Sequence, residues 1–396
     1  MKYCFSKRIQ KTPKSFIREI LKVTQQPEVI SFAGGLPNPS LIDTEGILEA
    51  AETVIKEDGR NALQYSNTEG YLPLREYIAE RYRKRYGLLI SSDEILITNG
   101  SQQCLDLLGK ILIDKDDAVL IERPGYLGAI QAFSLYEPEF FSVGLFEDGP
   151  DTNELQNIVS EENPKIFYGI PNSQNPSGIT YSREKREEIG EILSDTDTLF
   201  IEDDAYGELN FTDEIFEPVK KYLPDLGVMT GSFSKIISPG MRLGWICAPT
   251  EIIDKISTAK QASDLHSNYL SQRIITQYLQ TNDIDIHIQK IRSEYSNRCS
   301  FMTRLMDEMF PAEIGHTSPK GGMFIWLTLP QNISSQKLFE KAMEKNVAIL
   351  PGYPFYVNGG GDNTVRINFS NSDEDDIRKG IEVLSDIFAD TDKIKK

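Results

Sequence analysis

In the stretch GSFSKIISPGMRLGW, Gly231 to Trp245, one lysine stands among serines and glycines, with Arg242 downstream. The amine of Lys235 can form a Schiff base with a carbonyl once it loses a proton. Ser232 and Ser234 can donate hydrogen bonds to phosphate oxygens, and Arg242 adds a charge-assisted contact. Gly231 and Gly240 permit close backbone approach. The plainer alternative is a Ser/Gly-rich turn carrying a solvated lysine.

Asp203 in IEDDAYGEL ends an apolar run, and Tyr206 follows it. A buried carboxylate is costly unless it meets positive charge. A protonated pyridine nitrogen would supply that charge, and the ring could then act as an electron sink. Tyr206 could reach a phenolic oxygen on such a ring, and so could the amide of Asn175 in NSQNPSG. The plainer alternatives are an acidic loop with Asp203 or Asp204 as a cap, and an Asn-Pro turn. Gly100-Ser101-Gln102 at a helix start offers N–H groups to a phosphate, or is an ordinary cap. Tyr126 in ERPGYLGA could stack on a flat ring, or simply pack. Arg366 lies in an otherwise apolar strand and calls for a carboxylate, from a protein Asp or Glu or from a substrate.

The elements that must carry these residues alternate. Strands are expected at 94–98, 118–122, 165–170, 198–202, 227–230 and 243–248, with helices at 102–113 and 183–193. Such alternation implies βαβ units and a mostly parallel sheet. Ligands bind such sheets at the carboxyl ends of the strands. Gly100–Gln102, Asn175, Asp203 and the Lys235 segment each follow one of these runs, so the four ends could converge on one ligand. Later, 286–309 and 374–389 read as helices, and 321–327 and 365–369 as strands. They suggest a second α/β domain of ordinary size.

The 396 residues can bury a large core, and a net charge of −18 argues against nucleic acid or an anionic membrane as the main partner. Cys4, Cys104, Cys247 and Cys299 form no CxxC, which reads as reduced thiols in a cytoplasmic protein. His266, His287 and His316 lack metal-ligand spacing, so no metal is expected. The basic start has no apolar core of a secretory signal, and no apolar run is long enough to span a bilayer.

Taken together, these residues resemble the fold-type I PLP-dependent aminotransferases of class I/II. The resemblance rests on NPSG at Asn175, EDDAY at Asp203, SFSKIISPGMRLGW at Lys235, GSQQ at Gly100, GGMFIW at Gly321 and VRINFS at Arg366. It spans nearly the whole chain. ISFAGGLPNPS, LQYSNTEGYLPLR and KQASDLHSNYLSQ make it most similar to the branch of 2-aminoadipate and kynurenine aminotransferases.

The resemblance implies pyridoxal 5'-phosphate (PLP) as cofactor, with Lys235, Asp203 and Tyr126 as the catalytic set. Lys235 would bind the cofactor covalently and then move the substrate proton. Asp203 would pair with the pyridine nitrogen, Asn175 and Tyr206 would bind the ring oxygen, and Tyr126 would stack on the ring. Gly100, Ser101, Gln102, Ser232, Ser234 and Arg242 would hold the phosphate. Tyr65 would reach the phosphate of a neighbouring subunit in a homodimer. Arg366 would clamp the substrate α-carboxylate, with Asn175 and Gly35 also facing the substrate. A large domain with a mostly parallel seven-stranded sheet (46–285), a smaller α/β domain (286–396) and an N-terminal segment (1–45) packing with the small domain and the substrate pocket, in a position that would suit a lid, are expected. The substrates would be an L-amino acid of 2-aminoadipate, aromatic or branched type and a 2-oxo acid such as 2-oxoglutarate. Leu41-Ile42-Asp43 replaces a Phe-Pro frequent in the branch, at a segment that shapes the substrate side. Two other readings share the fold: a PLP-sensing regulatory domain, which normally follows a DNA-binding module for which 1–45 leaves no room, and a PLP lyase.

Overall fold

The computed structural model describes residues 3–12, 26, 28–390 and 394–396. In chain order its strands are β1 (Ile30–Ser31), β2 (Ile95–Thr98), β3 (Ala118–Arg123), β4 (Glu139–Phe146), β5 (Gly149–Pro150), β6 (Ile166–Gly169), β7 (Leu199–Asp203), β8 (Gly227–Ser232), β9 (Gly244–Cys247), β10 (Gly315–His316), β11 (Phe324–Thr328), β12 (Val347–Ala348), β13 (Leu350–Pro351) and β14 (Thr364–Asn368).

The large sheet runs in the order β2-β9-β8-β7-β6-β3-β4-β5. β8, β7, β6, β3 and β4 pair in parallel. β9 is antiparallel to both its neighbours. With β2 these make seven, the number the resemblance implied, though β4 (139–146) is not among the six runs expected from the sequence; β5 adds a two-residue edge strand antiparallel to β4. The interior strands are apolar on both faces because helices cover both. In β3 and β6, Val119, Ile121, Ile166 and Tyr168 join one core cluster, while the alternating Leu120 and Phe167 join another. That period-two division is what a strand with two buried faces requires.

A second sheet, antiparallel in the order β10-β11-β14-β13, carries Arg366 on its inner strand opposite Trp326 and Leu350. The long helix beside it is Ile284–Met309. It begins ahead of the expected 286 because the Asp283 carboxylate accepts from the N–H groups of Asp285 and Ile286. The last helix, Glu374–Phe388, is capped by Asp373 and opens on Glu374, Asp375 and Asp376, which suit the positive end of its dipole.

The N-terminal chain crosses to this second sheet. β1 pairs in parallel with β12, the Phe32 N–H donates to Ala348 at 2.8 Å, and the Asn368 N–H donates to Phe32 at 2.9 Å. This crossing brings Gly35 to the cleft between the two sheets. Of the N-terminal segment expected at 1–45, residues 13–25 lie outside the described residues. Among the described residues no helix is long and apolar enough to cross a membrane.

Candidate active site

A cleft with an empty volume of about 960 Å³, open solvent at its mouth included, lies over the carboxyl ends of the large sheet. β7 contributes Asp203, β8 contributes Ser232, and the turn after β8 contributes Ser234 and Lys235. Asn175 comes from the loop after β6, Ser101 and Gln102 from the first turn of helix Ser101–Leu112, and Tyr126 from the cap of helix Leu127–Ser134. Tyr206, Arg242, Arg366 and Gly35 complete the wall.

Two residues of the sequence reading stand apart. Gly100 lies just behind the wall, at the cap of the helix. Tyr65 is 79% exposed, and its ring meets the edge of His266 at 5.8 Å, outside the cleft of its own chain.

The lysine is set up to lose its proton. Its Nζ donates to the Gly35 carbonyl at 2.9 Å and lies 6.0 Å from the centre of the Tyr206 ring. Burial, and then the charges of Arg366 and Arg242, lower its pKa to about 8. A neutral amine is the form that attacks a carbonyl.

Asp203 is buried, and among the described residues no cation pairs with it. Its Oδ2 accepts from the Tyr168 hydroxyl at 2.8 Å and its Oδ1 from the Thr230 hydroxyl at 3.1 Å. Burial raises its pKa to about 6, against the pull of those two hydrogen bonds. A cation arriving in the cleft would hold it ionised.

Arg366 is the complementary case. It is buried, and its Nη1 donates to Asn175 Oδ1 at 2.9 Å and its Nη2 to the Ala33 carbonyl at 2.7 Å. Its Nε has no partner, and the guanidinium lies 4.3 Å from the centre of the Phe324 ring. Neither Asp nor Glu pairs with it among the described residues, so of the two carboxylates the sequence left open, the protein supplies none. Desolvation lowers its pKa to about 10. A buried Arg of this kind is completed by an incoming anion.

The part of the cleft around Ser101, Gln102 and Arg242 suits a second anion. Gly100 has φ +83°, and a Cβ there would sit 2.8 Å from Arg242 Nη2. The glycine therefore lets the guanidinium lie against the helix start, where the first N–H groups lack helical partners. Arg242 Nη2 also donates to the Asn99 carbonyl at 3.1 Å. A Cβ on Gly231 would lie 2.2 Å from the Trp245 ring, so that glycine is required by packing. Gly240 is different: only Ser238 Oγ comes within 4 Å, at 3.7 Å, and no close approach explains it.

Several contributors carried no motif. Tyr168 and Thr230 are ordinary strand residues in the sequence, and only the sheet order shows that they flank Asp203. Glu122, at the end of β3, is buried and accepts from the Ile170 N–H at 3.0 Å, the Gln174 amide at 2.9 Å and the Tyr181 hydroxyl. Gln174 in turn accepts from the Ser177 N–H at 2.7 Å, so Glu122 braces the loop that holds Asn175. A carboxylate beside RPGY and a Gln beside NPSG were the available signals.

In one cleft, donors that suit an anion, a buried carboxylate and a lysine whose pKa is lowered match in kind the phosphate, pyridine nitrogen and aldehyde of pyridoxal 5'-phosphate. Fold and site thus define a PLP-dependent enzyme of fold type I. Comparison with known proteins narrows this. The family model "Aminotransferase class I and II" matches residues 38–384. The chain is 40% identical over 384 residues to 2-aminoadipate transaminase of Thermus thermophilus, covering 96% of this chain and 95% of that protein. It is 40% identical over 388 residues to aromatic-amino-acid aminotransferase 1 of Thermococcus litoralis, covering 96% and 93%. The crystal structure of the Thermus thermophilus alpha-aminoadipate aminotransferase with N-(5'-phosphopyridoxyl)-L-leucine superposes with a TM-score of 0.91 at 38% identity, covering 98% of this chain and 97% of that one. The chain belongs to the aminotransferase class I and II family. It is a PLP-dependent aminotransferase, moving an amino group from an amino acid to a 2-oxo acid.

Proposed function

We propose that the donor is an L-amino acid of 2-aminoadipate, aromatic or branched type and that the acceptor is a 2-oxo acid such as 2-oxoglutarate. The observation that carries the α-amino acid part is Arg366, a buried guanidinium whose Nε has no partner and which pairs with no carboxylate among the described residues. The names of the relatives at 40% identity support the 2-aminoadipate and aromatic classes.

PLP, when bound, supplies an electron sink that stabilises the carbanion formed at the substrate Cα. In our reading Lys235 would hold the cofactor and, once freed, would serve as the base at Cα–H. Asp203 would accept a hydrogen bond from the protonated ring nitrogen. Tyr206 and Asn175 donate to the ring oxygen, and Tyr126 covers the ring face. Ser101, Gln102, Ser232, Ser234 and Arg242 bind the phosphate, with Gly100 leaving the room they need. Arg366 takes the α-carboxylate, next to Asn175 and Gly35, and so orients Cα–H toward the lysine.

We place the exposed Tyr65 at the phosphate of a second copy, making the enzyme a homodimer. We also propose domain limits of 1–45, 46–285 and 286–396. The buried free thiols of Cys104, Cys247 and Cys299 support a cytoplasmic setting. The test is a panel of single L-amino acids with 2-oxoglutarate, reading glutamate formed. Turnover with a 2-aminoadipate, aromatic or branched donor supports the assignment. Turnover confined to donors outside these classes refutes it.

A further inference from the structure

The carboxylate of Asp203 is held from both sides by neutral hydroxyls. β7, which ends in Asp203, lies between β6 and β8. β6 sends the Tyr168 hydroxyl to Oδ2 at 2.8 Å, and β8 sends the Thr230 hydroxyl to Oδ1 at 3.1 Å. Tyr168 has no solvent exposure, and its ring meets Phe133 edge-on at 5.9 Å, so its own position is fixed by packing. Neither hydroxyl lines the cleft.

We infer that Tyr168 and Thr230 are positioning residues that aim Asp203 at the cofactor's pyridine nitrogen and keep it in its ionised form. The inference rests on the proposed role of Asp203 itself.

A carboxylate with one donor on each oxygen cannot rotate about its last bond without breaking both, so its direction is set before any ligand arrives. And a buried carboxylate without a cation is pushed toward its neutral form, which hydrogen bonds to the charged form oppose. For Asp203 burial is the larger influence and the two hydroxyls oppose it. The phenol stays a donor, because burial and then the Asp203 charge hold its own pKa well above the usual value. Without Tyr168 the acid gains a proton more readily. It would then donate to the ring nitrogen and leave it unprotonated, and the ring would withdraw electrons less strongly.

The test uses holoenzyme loaded with PLP labelled with ¹⁵N in the pyridine ring. The nitrogen chemical shift is measured for wild type, Tyr168→Phe, Thr230→Val and Asp203→Asn at one pH. The expected result is a shift toward the unprotonated value in Tyr168→Phe and Thr230→Val, and a larger one in Asp203→Asn. Turnover in Tyr168→Phe should fall about tenfold with KM for the amino acid unchanged, as expected for one lost hydrogen bond to a charged group. If Asp203→Asn moves the resonance but both hydroxyl variants match wild type, the two residues merely pack and the inference fails. If Asp203→Asn also matches wild type, the role given to Asp203 fails first. Should Tyr168→Phe not fold, Thr230→Val carries the test alone.

Discussion

Arg366→Met separates binding from stability more sharply than any other change in the cleft. Methionine keeps most of the length of the side chain and removes the charge. Without substrate the guanidinium is a buried cation with no anion among the described residues, which costs several kcal/mol per ion. Against that stand two hydrogen bonds, to Asn175 Oδ1 at 2.9 Å and the Ala33 carbonyl at 2.7 Å, each worth about 1.5–3 kcal/mol. The contact with the Phe324 ring at 4.3 Å adds up to about 2 kcal/mol. These opposing amounts are similar, so the melting temperature should stay within about 4 °C, the shift that about 1 kcal/mol makes in a large domain. With an amino acid bound the sum changes. Removing one partner of a buried pair costs about 3–5 kcal/mol, which lowers kcat/KM roughly 10²- to 10⁴-fold. The assay compares the best L-amino acid donor with the amine that lacks only its α-carboxylate. Wild type should prefer the amino acid strongly, and Arg366→Met should lose nearly all of that preference. Equal losses for both substrates, or a less than tenfold loss for the amino acid in a folded protein, would refute the reasoning.

The lysine gives a pH prediction. The nucleophile is the neutral amine, whose fraction rises tenfold per pH unit below the pKa and levels above it. With the pKa lowered to about 8, capture of PLP by the apoenzyme should accelerate up to about pH 8 and flatten by pH 9. A rate still climbing tenfold per unit above pH 9 would mean an ordinary solvated lysine. Gly100→Ala places a Cβ 2.8 Å from Arg242 Nη2 at φ +83°, a conformation costing about 1–2 kcal/mol for an L residue. PLP affinity by absorbance titration should fall about tenfold, and an unchanged affinity would remove Gly100 from the phosphate site. Glu122→Gln turns an acceptor of three hydrogen bonds into a group that must also donate among donors. It should lower stability by about 1–3 kcal/mol in denaturant unfolding, and a midpoint equal to wild type would contradict its bracing role.

Much of the architecture was legible because the interior strands are short, doubly buried and bounded by polar residues. β3, β6, β7 and β8 were each found to within about two residues for that reason. β4 escaped notice: it lies toward the sheet edge, and its partial exposure breaks both the alternating and the continuous apolar pattern. The cleft residues were legible where chemistry demands unusual types, such as a lysine among serines or an arginine in an apolar strand. Tyr168 and Thr230 were not, since each is common in strands and gains its role only when β6 and β8 come to flank β7. Glu122 was hidden likewise, because its three donors come from the distant 170–181 segment. Arg366 was legible as a site, but that it meets no carboxylate among the described residues needed the fold.

The central claim is that Lys235 carries transamination in this cleft. The most direct measurement is the visible absorption of the PLP-loaded protein during addition of single L-amino acids and then 2-oxoglutarate, for wild type and Lys235→Ala. The account predicts that an active donor removes the band of bound PLP in wild type, that 2-oxoglutarate restores it, and that Lys235→Ala completes neither change. A wild-type band that no amino acid alters, or an alanine variant that cycles at a rate near wild type, would contradict it.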